Sequence, residues 1–398
     1  MAKIEYDPVK KMVRMSDSME QIYDYYERKG FFFSREIITR YFLSLKTKPF
    51  VILTGISGTG KTKIAQVLAD YVCQSETPEE RRKRIAFVPV RPDWMDGKGL
   101  LGYYNILDEK YYVTPVLRLL LDARKNPEKP YFVILDEMNL AKVEHYFSDF
   151  LSIMESRTGD RPEGEALYLH ASGMVPAQDG LDDVPATLEI PPNVFFTGTV
   201  NVDESTYMFS PKVLDRSNVI EFNEVDLAGY GSGGSSSVAS TFALGNADVR
   251  GKLLPEDEET FFPSRKGFER LRQIAPEMVR HLEQLLDILR EYHLHFGYRV
   301  INEIAHFCCI SKDMVTVFDV NEVLDVQVMQ KVLPKFHGTQ GKLEEPLQRL
   351  LAFCVGSAAG AEEPGIVGGE SARLPRSASK VARMLQGLRT QGYTSFIE

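Results

Sequence analysis

The segment that most restricts the fold runs from residue 50 to residue 72. The apolar run Phe50-Val51-Ile52-Leu53-Thr54 is followed by Gly55-Ile56-Ser57-Gly58-Thr59-Gly60-Lys61-Thr62. A helical pattern comes next, with Ile64, Val67, Leu68, Tyr71 and Val72 on one face. A buried strand, a glycine-rich turn and a helix in that order are the setting of a phosphate-binding loop. Glycines at 55, 58 and 60 let backbone N–H groups turn toward phosphate oxygens, and the helix adds its positive amino-terminal end. Lys61 is then expected to reach the β- and γ-phosphates, and Thr62 to hold Mg²⁺ through its hydroxyl. The competing reading is a glycine-rich turn with a chance lysine.

Three later segments fit the same site. In Val133-Ile134-Leu135-Asp136-Glu137 an apolar strand ends in two carboxylates. Asp136 is expected to orient the metal or its waters, and Glu137 to polarise the attacking water. Without the upstream loop, such a run would mean only a strand reaching its solvated edge. Asn201 ends the apolar strand Val194–Val200, where its amide could hold the attacking water or the γ-phosphate. Taken alone it would be a turn residue. Arg216, in Leu214-Asp215-Arg216-Ser217, lies one helix further on, just before another apolar run. An arginine there can project from one subunit onto the γ-phosphate bound by the next. Its bland alternative is a local pair with Asp215.

Apolar runs at Ile85–Val90, Tyr131–Leu135, Val194–Val200 and Val219–Phe222 join Phe50–Thr54 and are separated by helical patterns. They predict an α/β fold with a five-stranded parallel sheet flanked by helices. Before the loop, residues 1–33 read as a docking helix, with Met19, Ile22, Tyr23 and Tyr26 at helical spacing. Ser34 is a plausible cap for the next helix. The nucleotide-binding unit is expected over 34–225. Glycine and serine dominate Gly229–Ser237, and 226–262 reads as a flexible linker. A helical lid is expected over 263–355, with Pro276 in the first turn of one of its helices, and a loose stretch with a final helix carrying Val381, Met384, Leu385 and Leu388 over 356–398.

The formal charge of −9 argues against a surface that embraces nucleic acid as a whole, while leaving room for a local basic patch. Cys73, Cys308, Cys309 and Cys354 have no metal-ligand spacing and read as buried thiols. With no cleavable leader and no run able to span a bilayer, the expectation is a cytoplasmic protein without a membrane partner.

On these motifs the chain resembles the AAA+ ATPase superfamily over residues 34 to 350. Within it the chain is similar to the McrB-like motors of modification-dependent restriction systems, in the dynein-related and MoxR-like branch. Residues Gly99-Leu-Leu-Gly-Tyr-Tyr-Asn105 to Val113-Thr-Pro115 look like the insert in the second helix of that branch. Ala166–His170 and Ala186–Ile190, within an insert near 158–190, look like the hairpin placed before the first sensor strand. Phe296-Gly-Tyr-Arg299-Val-Ile-Asn-Glu303 is similar to its second sensor, which implies that Arg299 reaches the phosphates when the lid closes. The alternative for Arg299 is a surface pair with Glu303.

The resemblance implies an α-helical lid after the P-loop core, a hexameric ring, Mg²⁺ as cofactor, DNA as the thing moved or remodelled, and a separate McrC-like nuclease. One feature departs from it. McrB proteins carry Asn-x-x-Asp-Arg-Ser after the sensor strand, whereas this chain reads Asn201-Val202-Asp203-Glu204-Ser205. Asn201 carries over and the arginine does not. The recognition domain that precedes McrB motors has no counterpart, so either the chain is the motor part or another subunit reads the DNA. ATP is favoured as the superfamily default and GTP stays open, since no guanine-reading Asn-Lys-x-Asp is present. Two rival functions are a MoxR-like ATPase that remodels protein complexes and a nucleotide-gated assembly switch with little turnover.

Overall fold

The strand before the glycine-rich loop, β1 (Phe50–Gly55), is buried along its whole length. That requires neighbours on both edges and helices on both faces. The computed structural model supplies them. It describes residues 21–157, 164–180, 182–202, 207–223, 242–245, 249–254, 262–356 and 372–397. After β1 come β2 (Ile85–Pro89), a hairpin of β3 (Tyr103–Asn105) and β4 (Lys110–Tyr112), and β5 (Tyr131–Asp136). Four short strands follow: β6 (Ala166–Tyr168), β7 (Met174–Pro176), β8 (Asp183–Pro185) and β9 (Thr187–Glu189). The last two strands of the large lobe are β10 (Val194–Asn201) and β11 (Asn218–Glu221).

The main sheet has the order β11-β1-β10-β5-β2, and every pair in it is parallel. All five apolar runs seen in the sequence are in it. Register decides what reaches the carboxyl edge: Gly55 lies beside Asn201, and Pro89 beside Asp136. In such sheets, ligands bind outside the carboxyl ends of the strands. A cluster of Phe50, Phe147, Phe150 and Phe196 packs one face, with Phe147 and Phe150 stacked at 4.9 Å.

Before β1, the helix Arg35–Thr47 starts at Ser34, whose hydroxyl accepts from the Ile37 amide. The short helix Ile22–Arg28 buries Ile22, Tyr23, Tyr25 and Tyr26, and the Tyr26 hydroxyl donates to the Ile64 carbonyl at 2.6 Å. Met19 falls outside the described residues, as does most of the glycine-rich stretch from 226 and of the stretch from 356. Both inserts form antiparallel hairpins. β3 pairs with β4, and β6 pairs with β9 with Ala166 opposite Glu189. A further hairpin, β7 with β8, lies inside the second insert and was not apparent from the sequence.

The carboxyl-terminal part is helical: Arg265–Ile274, Pro276–Arg290, Tyr298–Met314, Val320–Gln327, Gln340–Val355 and Pro375–Gln391. It is tied to the sheet by buried ions. Glu303 accepts from Lys48, just ahead of β1, at 2.6 Å and also pairs with Lys331. Lys331 sits in a π-helical turn, Val328–Val332, and also donates to the Ser217 carbonyl at 2.9 Å. On the last helix, Lys380 meets Glu221 of β11 at 2.7 Å, and Arg376 bridges Glu36 to Glu322 and Asp325. All four cysteines are free and buried.

Candidate active site

Between β1 and the helix Lys61–Val72 the loop takes backbone angles that ordinary residues avoid. Gly55, Gly58 and Gly60 have φ of 139°, 83° and 90°. Gly55 is constrained from outside as well, because a Cβ there would lie 2.3 Å from the Phe222 carbonyl oxygen. The end of β11 therefore presses on the start of the loop. Asn223 fixes that contact: its Oδ1 accepts from the Ile56 amide at 3.1 Å, and its Nδ2 donates to Glu221 at 2.6 Å.

Lys61 is buried and folds back over the loop, donating to the carbonyls of Gly55 (2.9 Å) and Ile56 (2.6 Å). Burial pushes its ammonium below the ordinary lysine range, and Asp136 and Glu137 offset part of that. Ser57 and Thr59 are loop residues like Gly58, and the Thr59 hydroxyl donates to the Ile56 carbonyl at 3.0 Å.

Asp136 and Glu137 do different things from adjacent positions. Asp136 Oδ1 accepts from the Thr62 hydroxyl at 2.7 Å and from the Thr199 hydroxyl at 2.8 Å. Glu137 has φ 50° and ψ 50°, a left-handed conformation that costs of order 1 kcal/mol for a residue with a Cβ. Two contacts hold it there: its amide donates to Thr199 Oγ1 at 3.1 Å, and its Oε1 accepts from Asn201 Nδ2 at 2.8 Å. Asn139 closes the turn by donating to the Asn201 carbonyl at 3.1 Å. The turn lies flat against β10 only because residue 198 is glycine, since a Cβ there would meet Met138 Sδ at 2.0 Å.

Lys61, Thr62, Asp136, Glu137 and Asn201 thus meet at one sheet edge. The site fits a hydrated Mg²⁺, which needs only one or two protein oxygens when phosphates supply others. Thr62 Oγ1 and Asp136 Oδ1 are already in contact, and either could turn to a cation. Among the described residues no group of three or more His, Cys, Asp or Glu side chains suits a metal held by protein alone.

Arg216 and Arg299 lie elsewhere. Both pair with Glu155, at the end of the helix Ser148–Ser156. Arg299 also meets Asp215 at 3.4 Å, and Lys335 meets Asp215 at 2.6 Å. Neither of the bland partners read from the sequence is used: Arg216 does not pair with Asp215, and Glu303 goes to Lys48 and Lys331. Arg216 precedes β11, whereas Asn223, beyond the other end of that strand, touches the loop. Six residues of near-extended chain, at about 3.3 Å each, separate them by roughly 20 Å. Both arginines therefore occupy the amino edge of the sheet, out of reach of their own loop. Arg299 stands in the first turn of its helix, but its neighbours are those of Arg216 and none of the loop residues.

Thr199, Asn223 and Glu155 are the residues sequence reading missed. Thr199 carried a faint signal as a hydroxyl inside an apolar strand. Asn223 and Glu155 carried none, because the loop amide that Asn223 meets and the two arginines that Glu155 meets are distant in the chain.

A loop after β1, a carboxylate pair after β5, which lies one strand away across β10, and a trailing helical region give the architecture expected from the resemblance. The fold is of the AAA+ type. Residues 255–393, about a third of the chain, match a family described as a domain of unknown function (DUF8727). Comparison with curated proteins gives no match. Among solved structures, the S. cerevisiae Hsp104–ADP complex aligns with 19% identity and a TM-score of 0.28, over 56% of this chain and 38% of that one. Strand order and the position of the loop after β1 define the fold independently of that neighbour. No described helix is long and apolar enough to cross a membrane.

Proposed function

We propose that this chain is a Mg²⁺-dependent nucleoside-triphosphate hydrolase that works as a ring, each nucleotide site being completed by Arg216 of the next subunit. One observation carries the reading: five loop and strand-end residues converge on one edge of the sheet while Arg216 stands about 20 Å away at the other. A single chain then holds the two complementary halves of two different sites.

In the proposed site Lys61 and the loop amides hold the β- and γ-phosphates. Thr62 and Asp136 hold Mg²⁺, which spreads the charge of the phosphates when bound. Glu137 takes the water proton, and Asn201 fixes the carboxylate's direction. Its Oε1 is engaged by Asn201 in this structure, so activation requires that contact to lengthen or to be shared with water. Arg216, released from Glu155, would stabilise charge on the transferred phosphoryl group of the neighbouring site. Arg299 shares that carboxylate, which supports a role for it beside Arg216 across the same boundary. The convergence of Glu137, Thr62, Asp136 and Lys61 on one sheet edge supports turnover over a switch that only binds. ATP is the favoured nucleotide.

A DNA-moving motor with a McrC-like nuclease and a remodeller of protein complexes share this site. The test of the common part is hydrolysis per chain against protein concentration. It should rise as rings form, and mixing Arg216→Ala with Lys61→Ala chains should restore turnover that neither has alone. Inactivity at every mixing ratio, with mixed rings shown by mass, would sink the shared site.

A further inference from the structure

At the amino edge of the sheet, opposite the nucleotide loop, the large lobe and the helical part leave a cavity of about 900 Å³ between them. That is within the size range of small-molecule pockets. Lys48, Pro49, Phe195 and Arg216 line it from the sheet. Gly267, Arg270 and one stripe of the helix Tyr298–Met314 line it from the other side. The stripe is Arg299, Glu303, His306, Ile310 and Asp313 at helical spacing. A helix face turned toward a protein's interior is normally apolar, and this one is mostly polar.

Two features of the wall serve nothing inside the chain. His306 is 5% exposed, yet its Nε2 has no hydrogen-bond partner. A buried polar atom left unpaired costs its lost hydration. Gly267 stands in the first turn of the helix Arg265–Ile274, where alanine would hold the helix better, and a Cβ there would meet no atom outside its own turn within 4 Å. Water can satisfy the nitrogen. It gains nothing from the apolar wall of Met154, Phe195, Leu253, Ile310 and Met314.

Charge selects the sign of an occupant. Arg216, Arg299 and Lys335 share Glu155 and Asp215, Lys48 and Lys331 share Glu303, and Arg270 is matched by Asp313. Cations therefore outnumber carboxylates around the cavity, in a chain whose formal charge is −9. Burial, with Lys46 and Arg270 against Glu303, holds the His306 imidazole down to about 4. At neutral pH the ring is uncharged, and as the Nε2–H tautomer it donates a hydrogen bond without first taking up a proton.

We propose that this cavity binds a small organic anion, a phosphate or carboxylate carried on an apolar body. The anion accepts from His306 Nε2 among the surrounding lysines and arginines, and the body lies against Phe195, Leu253 and Ile310 in the space that Gly267 leaves open. Because the cavity and the nucleotide loop occupy opposite edges of the sheet, binding here does not depend on hydrolysis.

Fluorescence titration of the Lys61→Ala chain, in which the nucleotide loop no longer competes for phosphate, tests the site. The probes are naphthyl phosphate, naphthoate, uncharged naphthol and naphthylmethylammonium. Both anions should bind, and the tighter of the two identifies the headgroup. Naphthol and the ammonium should bind more weakly by about tenfold or more. His306→Phe and Gly267→Leu, each added to Lys61→Ala, should weaken the anions by a similar factor. Gly267→Leu should keep or raise the melting point of the Lys61→Ala chain, which separates a filled cavity from an unfolded one. Failure of both anions to bind, equally tight binding of naphthol or the ammonium, or full anion affinity in either added variant overturns the proposal. Failure of the composite-site reading would show separately, in the mixing experiment.

Discussion

Replacing Glu303 by glutamine should loosen the junction between the helical part and the sheet. The carboxylate is 5% exposed and lies between Lys48 and Lys331, which are 15% and 1% exposed. Burial alone would raise its acid range, but Lys331 and Lys48 outweigh that and hold the carboxyl down to about 2. Glutamine keeps the shape and removes the charge, leaving two lysines facing each other with little water. Breaking a buried pair in this way costs about 3–5 kcal/mol. Lys331 keeps the Ser217 carbonyl and Lys48 keeps some solvent, so the lower end, about 3 kcal/mol, is expected. Thermal melting should move down by several degrees. The sign with pH follows from the depressed carboxyl: its contribution is complete above about 4.5 and is lost as pH falls toward about 2. Glu303→Gln should therefore differ from the parent at neutral pH and converge with it in acid. Converting Glu303 to leucine and Lys331 to methionine together should recover most of the loss. Equal melting of parent and Glu303→Gln at neutral pH would refute the reasoning.

Lys61→Ala should abolish triphosphate binding, measured by calorimetry, whereas Glu137→Gln should bind normally and not turn over; comparable turnover by Glu137→Gln and parent would show the catalytic carboxylate misassigned. Thr199→Val removes the hydroxyl shared by Asp136 and the Glu137 amide, so it should lower turnover by about tenfold or more, corresponding to a charge-assisted bond of about 1.5–3 kcal/mol. Gly198→Ala forces a methyl group into buried Met138 and should destabilise by about 1–3 kcal/mol in denaturant melts. Arg299→Ala, at a partly exposed pair, should melt within about 1 kcal/mol of the parent while lowering hydrolysis. Parent-level turnover at saturating nucleotide would remove Arg299 from the mechanism.

What the sequence disclosed was whatever is encoded locally. The loop glycines, Lys61, Thr62, Asp136, Glu137 and Asn201 are each read against immediate neighbours, and the five sheet strands announced themselves as apolar runs between helical patterns. The Ser34 cap and the amino-terminal position of Pro276 in its helix are local too. Strands of three residues containing proline, such as β7 and β8, are too short for alternation to register. Glu155 was opaque for a different reason: it sits 144 residues from Arg299, and only the fold makes a helix-end carboxylate into the common partner of two arginines. The π-helical turn that buries Lys331 interrupts the helical period on which such a reading depends.

Opposite-edge placement of the loop and Arg216 has a genetic consequence. In the proposed ring, a defective copy co-expressed with the normal one would be dominant in a manner set by which edge it damages. A loop lesion silences the chain that carries it, while an arginine lesion silences the chain next door. A subunit with both lesions spoils two sites, its own and its neighbour's. Two singly defective subunits, placed so that the broken arginine faces the broken loop, spoil one site between them. The phenotype of a mixed population would therefore depend on the order of subunits around the ring as well as on their proportions.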